Sequence, residues 1–230
     1  MAKTVLGPAF AQLSGAFGGA VASRNRAGTY LRTRVHPTIV TSDAAMAAKS
    51  RLAGVSAAYA GLTTDQKLAW GQFGANNPIM DRVGMKQTLD AHASYVRING
   101  KLLAAGQSAL TEPPVGVAPA PFANGSLTAR GGTQSLSLAW TDRTLGADEV
   151  AVIKACVVGS AGKSYVKNLL RTIYYSDAAE SSPLDLLAAF QSRLGDVITG
   201  MFIHVEMSVL DKTTGLESMP IAVSTEVTAS

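Results

Sequence analysis

The sequence predicts an α+β protein with an extended N-terminal β-hairpin arm, a short helical region, and a C-terminal immunoglobulin-like or fibronectin type III-like β-sandwich with an inserted helix. Three observations lead to this prediction. Glycines punctuate short β-forming stretches over residues 1–40, whereas residues 41–110 repeat apolar side chains at helical spacing. A proline-rich segment, 111–121, follows. Residues 122–230 then show about seven short strand patterns divided by turn signals.

The composition is that of a folded chain whose two halves differ in charge. Hydrophobic residues make up 47% of the 230 residues and charged residues 16%, whereas disordered chains combine low hydrophobicity with high charge. No apolar run reaches the roughly 18 residues of a membrane-spanning helix, so we expect no membrane contact. Residues 1–112 hold 12 Lys and Arg against 5 Asp and Glu, and residues 113–230 hold 8 against 11. The two halves are therefore expected to meet different partners.

The first forty residues predict two strands joined by a tight turn. The strand patterns cover 20–23 and 29–35, the turn lies at Ala27-Gly28, and Pro37 ends the second run. A hairpin this short is only marginally stable alone in water. We therefore expect it to lie against its own domain or against a neighbouring subunit.

Four arginines of this hairpin form the most informative polar group: Arg24, Arg26, Arg32 and Arg34. With a three-residue turn all four could share one face of the hairpin, and with a two-residue turn they divide between its faces. A shared face suits phosphate backbones or an acidic protein surface. The competing interpretation is a solvated strand whose charges prevent edge-to-edge aggregation. These arginines are predicted contacts to a partner or to nucleic acid.

Three helices are predicted between residues 41 and 110. The first covers residues 42–61, and its apolar side chains are Met46, Leu52, Val55 and Tyr59. The second begins at a capping box formed by Thr63 and Gln66 and ends near Gly74. The third runs from about Thr88 to Gly106, after a loop at 78–87. Helices of this length can pack as a small bundle.

The remainder of the chain predicts a linker and a β-sandwich. Four prolines within residues 111–121 favour an extended spacer, which we take as a domain boundary. The predicted strands cover residues 126–130, 135–140, 150–158, 165–175, 201–210 and 221–227. A helix is expected at 182–194, with Ser182 as its cap and Pro183 in its first turn. Trp140, at the end of an alternating strand, is expected in the sandwich core.

No group of residues in the sequence forms a recognisable active site. Gly159-Ser160-Ala161-Gly162-Lys163-Ser164 resembles the end of a phosphate-binding P-loop, but Val157 replaces the glycine that the motif requires and a strand pattern follows. The histidines His36, His92 and His204 lack metal-ligand spacing, and Cys156 is the single cysteine, expected to be buried. We therefore predict a protein that is not an enzyme and uses no cofactor or metal.

Two segments of the sequence carry distinctive patterns. The first is Ser14-Gly15-x-x-Gly18-Gly19-x-Val21-x-x-Arg24-x-Arg26-x-Gly28-x-Tyr30-x-Arg32-x-Arg34-Val35-x-Pro37. The second is the Leu62-Thr63-x-x-Gln66-x-x-x-Trp70 element. These segments resemble a group of virion-associated structural proteins encoded by tailed bacteriophages and prophages, in which the second element follows the glycine-arginine hairpin within a helical stretch. A proline linker and a β-sandwich complete the shared layout, and the resemblance is specific over about residues 14–37 and 62–103.

The resemblance implies a structural role in a phage particle, on the capsid or in the tail, with no catalytic residue. The expected partners are other copies of this chain and other virion proteins, and the expected location is the virion, after synthesis in the host cytoplasm. The N-terminal arm is expected to assemble by strand addition, which supplies main-chain hydrogen bonds without a large core. The alternative is a nucleic-acid-binding protein that uses its basic N-terminal half, with binding that weakens steeply as salt rises.

Overall fold

The described part of the protein folds into an α+β structure, as predicted, with four helices and several antiparallel sheets. The computed structural model describes residues 2–3, 14–25, 28–35, 42–80, 85–163 and 165–229. Contacts divide the chain into two compact units, Met1–Ala47 and Ala48–Ser230. The boundaries predicted from composition, at residue 40 and within 111–121, stay predictions.

The N-terminal unit contains the predicted hairpin within a four-stranded antiparallel sheet. In chain order the strands are β1 (Ala2–Lys3), β2 (Gly15–Phe17), β3 (Ala20–Asn25) and β4 (Gly28–Thr33), and their order across the sheet is β1-β4-β3-β2. The two flanking strands were not predicted, because segments of two or three residues are too short to show alternation. The hairpin is therefore supported by paired strands on both sides.

Three helices and a small hairpin follow. The helices are α1 (Asp43–Ala60), α2 (Thr64–Asn76) and α3 (Ala91–Ala104), and the hairpin pairs β5 (Ile79–Met80) with β6 (Lys86–Gln87) where a plain loop was expected. The capping box of α2 is confirmed: the Gln66 amide N–H donates to Thr63 Oγ1, and Gln66 Oε1 accepts from the Thr63 amide. The third helix begins later than Thr88, because Asp90 caps it by accepting from the Ala93 amide.

The helical region is organised around Trp70, which is fully buried. The other buried members of this cluster are Val55, Leu62, Tyr95, Ile98 and Leu102. The indole Nε1 of Trp70 donates to the Thr111 carbonyl at 2.9 Å, and the buried Asn99 amide both donates to and accepts from the Leu110 backbone. These bonds explain why Asn99 is tolerated inside a helix, and they tie the start of the proline-rich segment to the bundle.

The C-terminal part forms two antiparallel sheets over a shared core. The strands are β7 (Ser126–Arg130), β8 (Ser135–Ala139), β9 (Glu149–Val158), β10 (Arg171–Tyr175), β11 (Leu184–Asp185), β12 (Phe202–Asp211) and β13 (Ile221–Glu226). One sheet has the order β11-β8-β7 and the other β10-β9-β12-β13. Side chains of both sheets, including Leu138, Ile153 and Val205, join one buried cluster. Trp140 is buried in this cluster, as predicted, and Cys156 is buried elsewhere in the part.

Two predictions for this part were wrong in extent. The strand predicted at 165–175 covers only Arg171–Tyr175, because the Val166 carbonyl accepts from the Leu169 and Leu170 amides in a turn. The helix predicted at 182–194 begins at Leu187 and is α4 (Leu187–Leu194). Leu184 pairs with Leu138 in β11 instead, and the Asp185 carboxylate accepts from the Leu187 amide at the start of α4.

Candidate interaction surfaces

The register of the N-terminal hairpin decides how its arginines are distributed. Asn25 pairs with Gly28, which leaves two residues between these paired positions. Arg24 pairs with Thr29, whereas Arg32 pairs with Val21. Because directly opposed residues share a face and successive residues alternate, Arg24 and Arg32 lie on opposite faces of the sheet.

Arg34 lies on the same face as Arg32. Its amide donates to the Gly19 carbonyl at 2.8 Å, so the pairing continues beyond the end of β4. The side chains of Arg24, Arg32 and Arg34 are all exposed, and Arg26 lies outside the described residues. The hairpin therefore does not collect these three arginines on one face, and their contact with nucleic acid or a partner stays a prediction.

Both outer strands of this sheet are short. The sheet ends at β1 on one side and at β2 on the other, and within the described residues neither outer edge pairs with a further strand. An unpaired edge presents N–H and C=O groups that a strand from another chain can bind. The N-terminal sheet therefore offers two edges for strand addition.

A network of charged side chains connects α3 to the outer face of the larger sheet. Glu217, in the segment between β12 and β13, accepts from Lys101 of α3 at 2.7 Å and lies 3.7 Å from Lys154 of β9. Lys154 also bonds to Glu206, its cross-strand neighbour in β12, at 3.1 Å. The Ser208 hydroxyl donates to Glu217 at 2.6 Å. Alternating lysines and glutamates thus bind the helical region to the sheet.

The electrostatics of this network favour the charged forms of both Glu217 and Lys154. Burial disfavours ionisation of Glu217, but the charge of Lys101, with hydrogen bonds from Lys101 and Ser208, holds its pKa below the ordinary value. Burial also disfavours protonated Lys154, yet the charges and hydrogen bonds of Glu217 and Glu206 raise its pKa. The network is therefore stable as an ion-pair cluster at neutral pH.

We expect Glu217→Gln to lower the free energy of unfolding at pH 7 by roughly 1–3 kcal/mol, because Lys101 and Lys154 lose their shared carboxylate. This is less than for a fully buried pair, since the two lysine side chains keep 29% and 31% exposure. The pKa of Glu217 is lowered on folding, so its contribution is complete above its ordinary pKa of 4.5 and is lost as pH falls through the folded value.

Urea unfolding of wild type and Glu217→Gln at pH 7 and at acid pH measures this contribution. The difference in unfolding free energy between the two proteins should shrink as pH falls below about 4.5. Glu226→Gln is the matched control, because Glu226 is an exposed carboxyl on β13. An unchanged difference between the two pH values would contradict this assignment.

A cavity of about 420 Å³ lies beside the network in the second unit. The C-terminal end of α2, the middle of α3, residues 116–118 and residues 215–217 line it, and its charged side chains are Arg97, Lys101 and Glu217. Lys101 and Glu217 neutralise each other, and among the described residues Arg97 has no ion-pair partner. The charged side chains of the lining therefore carry a net positive charge, beside apolar residues such as Phe73 and Ile98.

The segment that resembles a P-loop lacks the helix on which phosphate binding depends. Gly159 follows β9 directly, Lys163 donates its amide to the Ser160 carbonyl in a turn, and within the described residues 165–170 no helix follows. A P-loop places phosphate at a helix N-terminus, where the backbone N–H groups point at the anion. The segment is a turn between β9 and β10.

The described histidines lie in separate settings, and His36 lies outside the described residues. His92 bonds Ser56 at 2.9 Å and packs edge-on against Tyr59, whereas His204 pairs with Cys156 across β9 and β12. Among the described residues, no group of three His, Cys, Asp or Glu side chains is placed to hold a metal ion. In the same part of the chain, no helix is long and apolar enough to cross a membrane.

The network around Glu217 was not predicted from the sequence. Lys154 lies within the apolar run of β9 and Glu206 within that of β12, so each was an isolated charge at a strand centre. A charge at such a position needs a nearby partner. This signal could have suggested the Lys154–Glu206 pair, whereas the contribution of Lys101 depends on how α3 packs.

Comparisons of the chain with protein-family models, with curated proteins and with solved structures find no match. The case for a function therefore depends on the geometry described above and on the resemblance of two sequence segments.

Proposed function

We propose that the protein is a non-catalytic structural component of a tailed-bacteriophage particle, associated with the capsid or the tail, and that it assembles through its N-terminal sheet. The observation that carries the proposal is the sheet of the first unit, whose two short edge strands are open and whose hairpin carries the glycine-arginine pattern. A separate compact unit follows it in the chain. This organisation is typical of proteins that join neighbours through an arm and present a folded domain.

Strand addition is the binding mode that this sheet supports best. The outer strands β1 and β2 have only two and three residues, so the sheet gains main-chain hydrogen bonds when a further strand pairs with either edge. The hairpin needs few apolar contacts to assemble in this way. Exposed Arg32 and Arg34 on one face and Arg24 on the other keep the free sheet soluble.

For the C-terminal sheets we infer a fibronectin type III-like sandwich as the interaction domain. Its support is the strand order: the first, second and fifth strands (β7, β8 and β11) form one sheet, and the other four form the second. In constant-type immunoglobulin domains the fourth strand lies with the first, second and fifth. Here the fourth strand, β10, pairs with β9 in the other sheet.

Removal of residues 1–40 tests the proposed assembly. We expect the full-length protein to form a large oligomer whose mass by light scattering changes little between low and high salt. The truncated protein should lose the part of that mass that depends on the N-terminal sheet, while keeping the far-ultraviolet circular dichroism and the thermal transition of its folded second unit. Binding through main-chain hydrogen bonds is screened far less by salt than binding between exposed charges.

Full-length protein in which Arg24, Arg32 and Arg34 are all replaced by Ala is the matched control, and it should keep the oligomer. A truncated protein with the same mass as the full-length one would overturn assembly through the N-terminal sheet. Loss of the oligomer in the arginine variant, together with salt-sensitive binding to DNA, would favour the nucleic-acid-binding alternative instead.

A further inference from the structure

Helix α1 packs far less than its length requires. It has 18 residues, and Val55 is its one buried residue among those described. Isolated helices of about 12–15 residues are marginal in water, and helices in proteins gain most of their stability from a packed apolar face. The exposed portion of α1 within the second unit, residues 48–54, therefore lacks the contact that would normally hold it.

The uncovered portion continues the face by which α1 packs. Ala48, Leu52, Val55 and Tyr59 recur at spacings of four, three and four residues, which places them on one stripe. Val55 and Tyr59 join the cluster around Trp70. Further toward the N-terminus, Ala48 is exposed and Leu52 is 57% exposed. The same apolar stripe thus continues beyond the bundle, where its Ala48 and Leu52 side chains are exposed.

A cation flanks this stripe on each side. Helical geometry places Lys49 on one side of the Ala48–Leu52 stripe and Arg51 on the other, and both side chains are exposed. A second α1 helix would bring two more cations to the contact, and like charges on facing helices destabilise it. The Ala48–Leu52 stripe therefore suits a partner helix that has apolar side chains in the contact and a negatively charged side chain beside them.

The outer face of α2 has these properties. Leu68 is 62% exposed, and Asp65, Gln72 and Ala75 share its face at helical spacing and are also exposed. Asp65 is the charged residue of this face, because Lys67 turns away to bond the Ala60 carbonyl and lies over the Tyr59 ring. The small Ala48 and Ala75 side chains permit close approach of the two helices.

We propose that α1 of one copy docks on α2 of a second copy, with Leu52 against Leu68 and with Lys49 and Arg51 beside Asp65. The contact buries both exposed leucines and pairs opposite charges. It does not depend on the function proposed above, since it involves no residue of the N-terminal sheet. An interface of this kind joins two different surfaces, so it can extend from copy to copy or close into a ring.

Site-specific cross-linking in the full-length chain tests the contact. Two single variants, Leu52→Cys and Leu68→Cys, are mixed and mildly oxidised with diamide, and the disulfide products are separated and mapped by mass spectrometry. We expect the mixed 52–68 product to exceed the 52–52 and 68–68 products at least fivefold. Ile198→Cys is the matched control, because Ile198 is 54% exposed and lies outside both helices. The native Cys156 is buried, so we expect it to contribute little to these products.

A charge exchange gives a second, independent measurement. Asp65→Lys should raise the dissociation constant of self-association at least about tenfold, and so should the double change Lys49→Asp with Arg51→Asp. The protein that carries all three changes should associate as the wild type does. Three outcomes would each overturn the proposal. The 52–52 product could dominate, or the mixed 52–68 product could form in no greater amount than the products of the Ile198→Cys control. The triple variant could also associate as weakly as the variants from which it is combined. Removal of residues 1–40 should leave the 52–68 product unchanged, which separates this contact from assembly through the sheet.

Discussion

Trp70→Ala is expected to lower the free energy of unfolding by about 3–5 kcal/mol, the range for loss of a large buried aromatic side chain. Trp70 is fully buried, with the Phe73 and Tyr95 rings edge-on at 5.7 and 5.3 Å. Truncation leaves a cavity between α2 and α3 and removes the hydrogen bond to the Thr111 carbonyl. Urea unfolding followed by circular dichroism measures the loss.

Two further variants separate the causes of this effect. Trp70→Phe keeps an aromatic ring and removes the indole donor, so we expect a smaller loss of about 1–3 kcal/mol from the unpaired Thr111 carbonyl. Thr64→Ala changes an exposed side chain on the same helix, and its effect should stay within about 0.5 kcal/mol. If Trp70→Ala lowered stability no more than Thr64→Ala does, Trp70 would not be the centre of the helical core.

The parts of the fold that depend on neighbouring residues were predicted well. The capping box of α2 lies within four residues, and the alternation of β12 places Ile203, Val205 and Met207 in the core as the sequence pattern indicates. Asn99 has a low intrinsic helix propensity, yet α3 continues through it. Its amide is satisfied by the backbone of Leu110, eleven residues away, which helix propensity does not represent.

The predictions were wrong where contacts with residues distant in sequence outweigh the local preference for helix or strand. Ser182 and Pro183 are a typical start for a helix, but Leu184 gains burial and a strand partner by pairing with Leu138, and the Trp140 amide donates to the Ser182 hydroxyl. A sequence cannot show that a strand 46 positions earlier needs this partner. The strand predicted to begin at residue 165 was wrong for a similar reason, because the apolar residues Val166, Leu169 and Leu170 pack in a turn.

For the interaction surfaces too, the local residue pattern was predictable from the sequence and the tertiary arrangement was not. The arginine pattern was visible in the sequence, but the faces that Arg24 and Arg32 take depend on the register of the two strands. One added residue between the strands would move Arg24 to the other face. In α1, Leu52 is one of the four apolar side chains noted in the sequence, and its spacing to Val55 fits a continuous stripe. The structure covers only the C-terminal end of that stripe, and how far a neighbouring helix extends is a tertiary property.

Phe190→Ala is expected to lower the free energy of unfolding by about 3–5 kcal/mol, because it removes the side chain that anchors α4 to the sheets. Phe190 is fully buried in the core that both sheets share, together with Leu186 and with Leu136 of β8. α4 has only eight residues and is too short to persist without this contact. We expect the variant to lose helical circular dichroism as well as stability.

Ile198→Ala provides the matched control, since Ile198 follows α4 and is more than half exposed, so its effect should stay within about 0.5 kcal/mol. Phe190→Leu should fall between the two, because a leucine refills part of the cavity. Hydrogen exchange of residues 187–194 locates the change: the amides of α4 should lose protection before those of β9 and β12, which pair along their full length. Protection of α4 equal to that in the wild type would show that Phe190 is not its anchor, and that Leu187 and Leu194 hold the helix on the sheets instead.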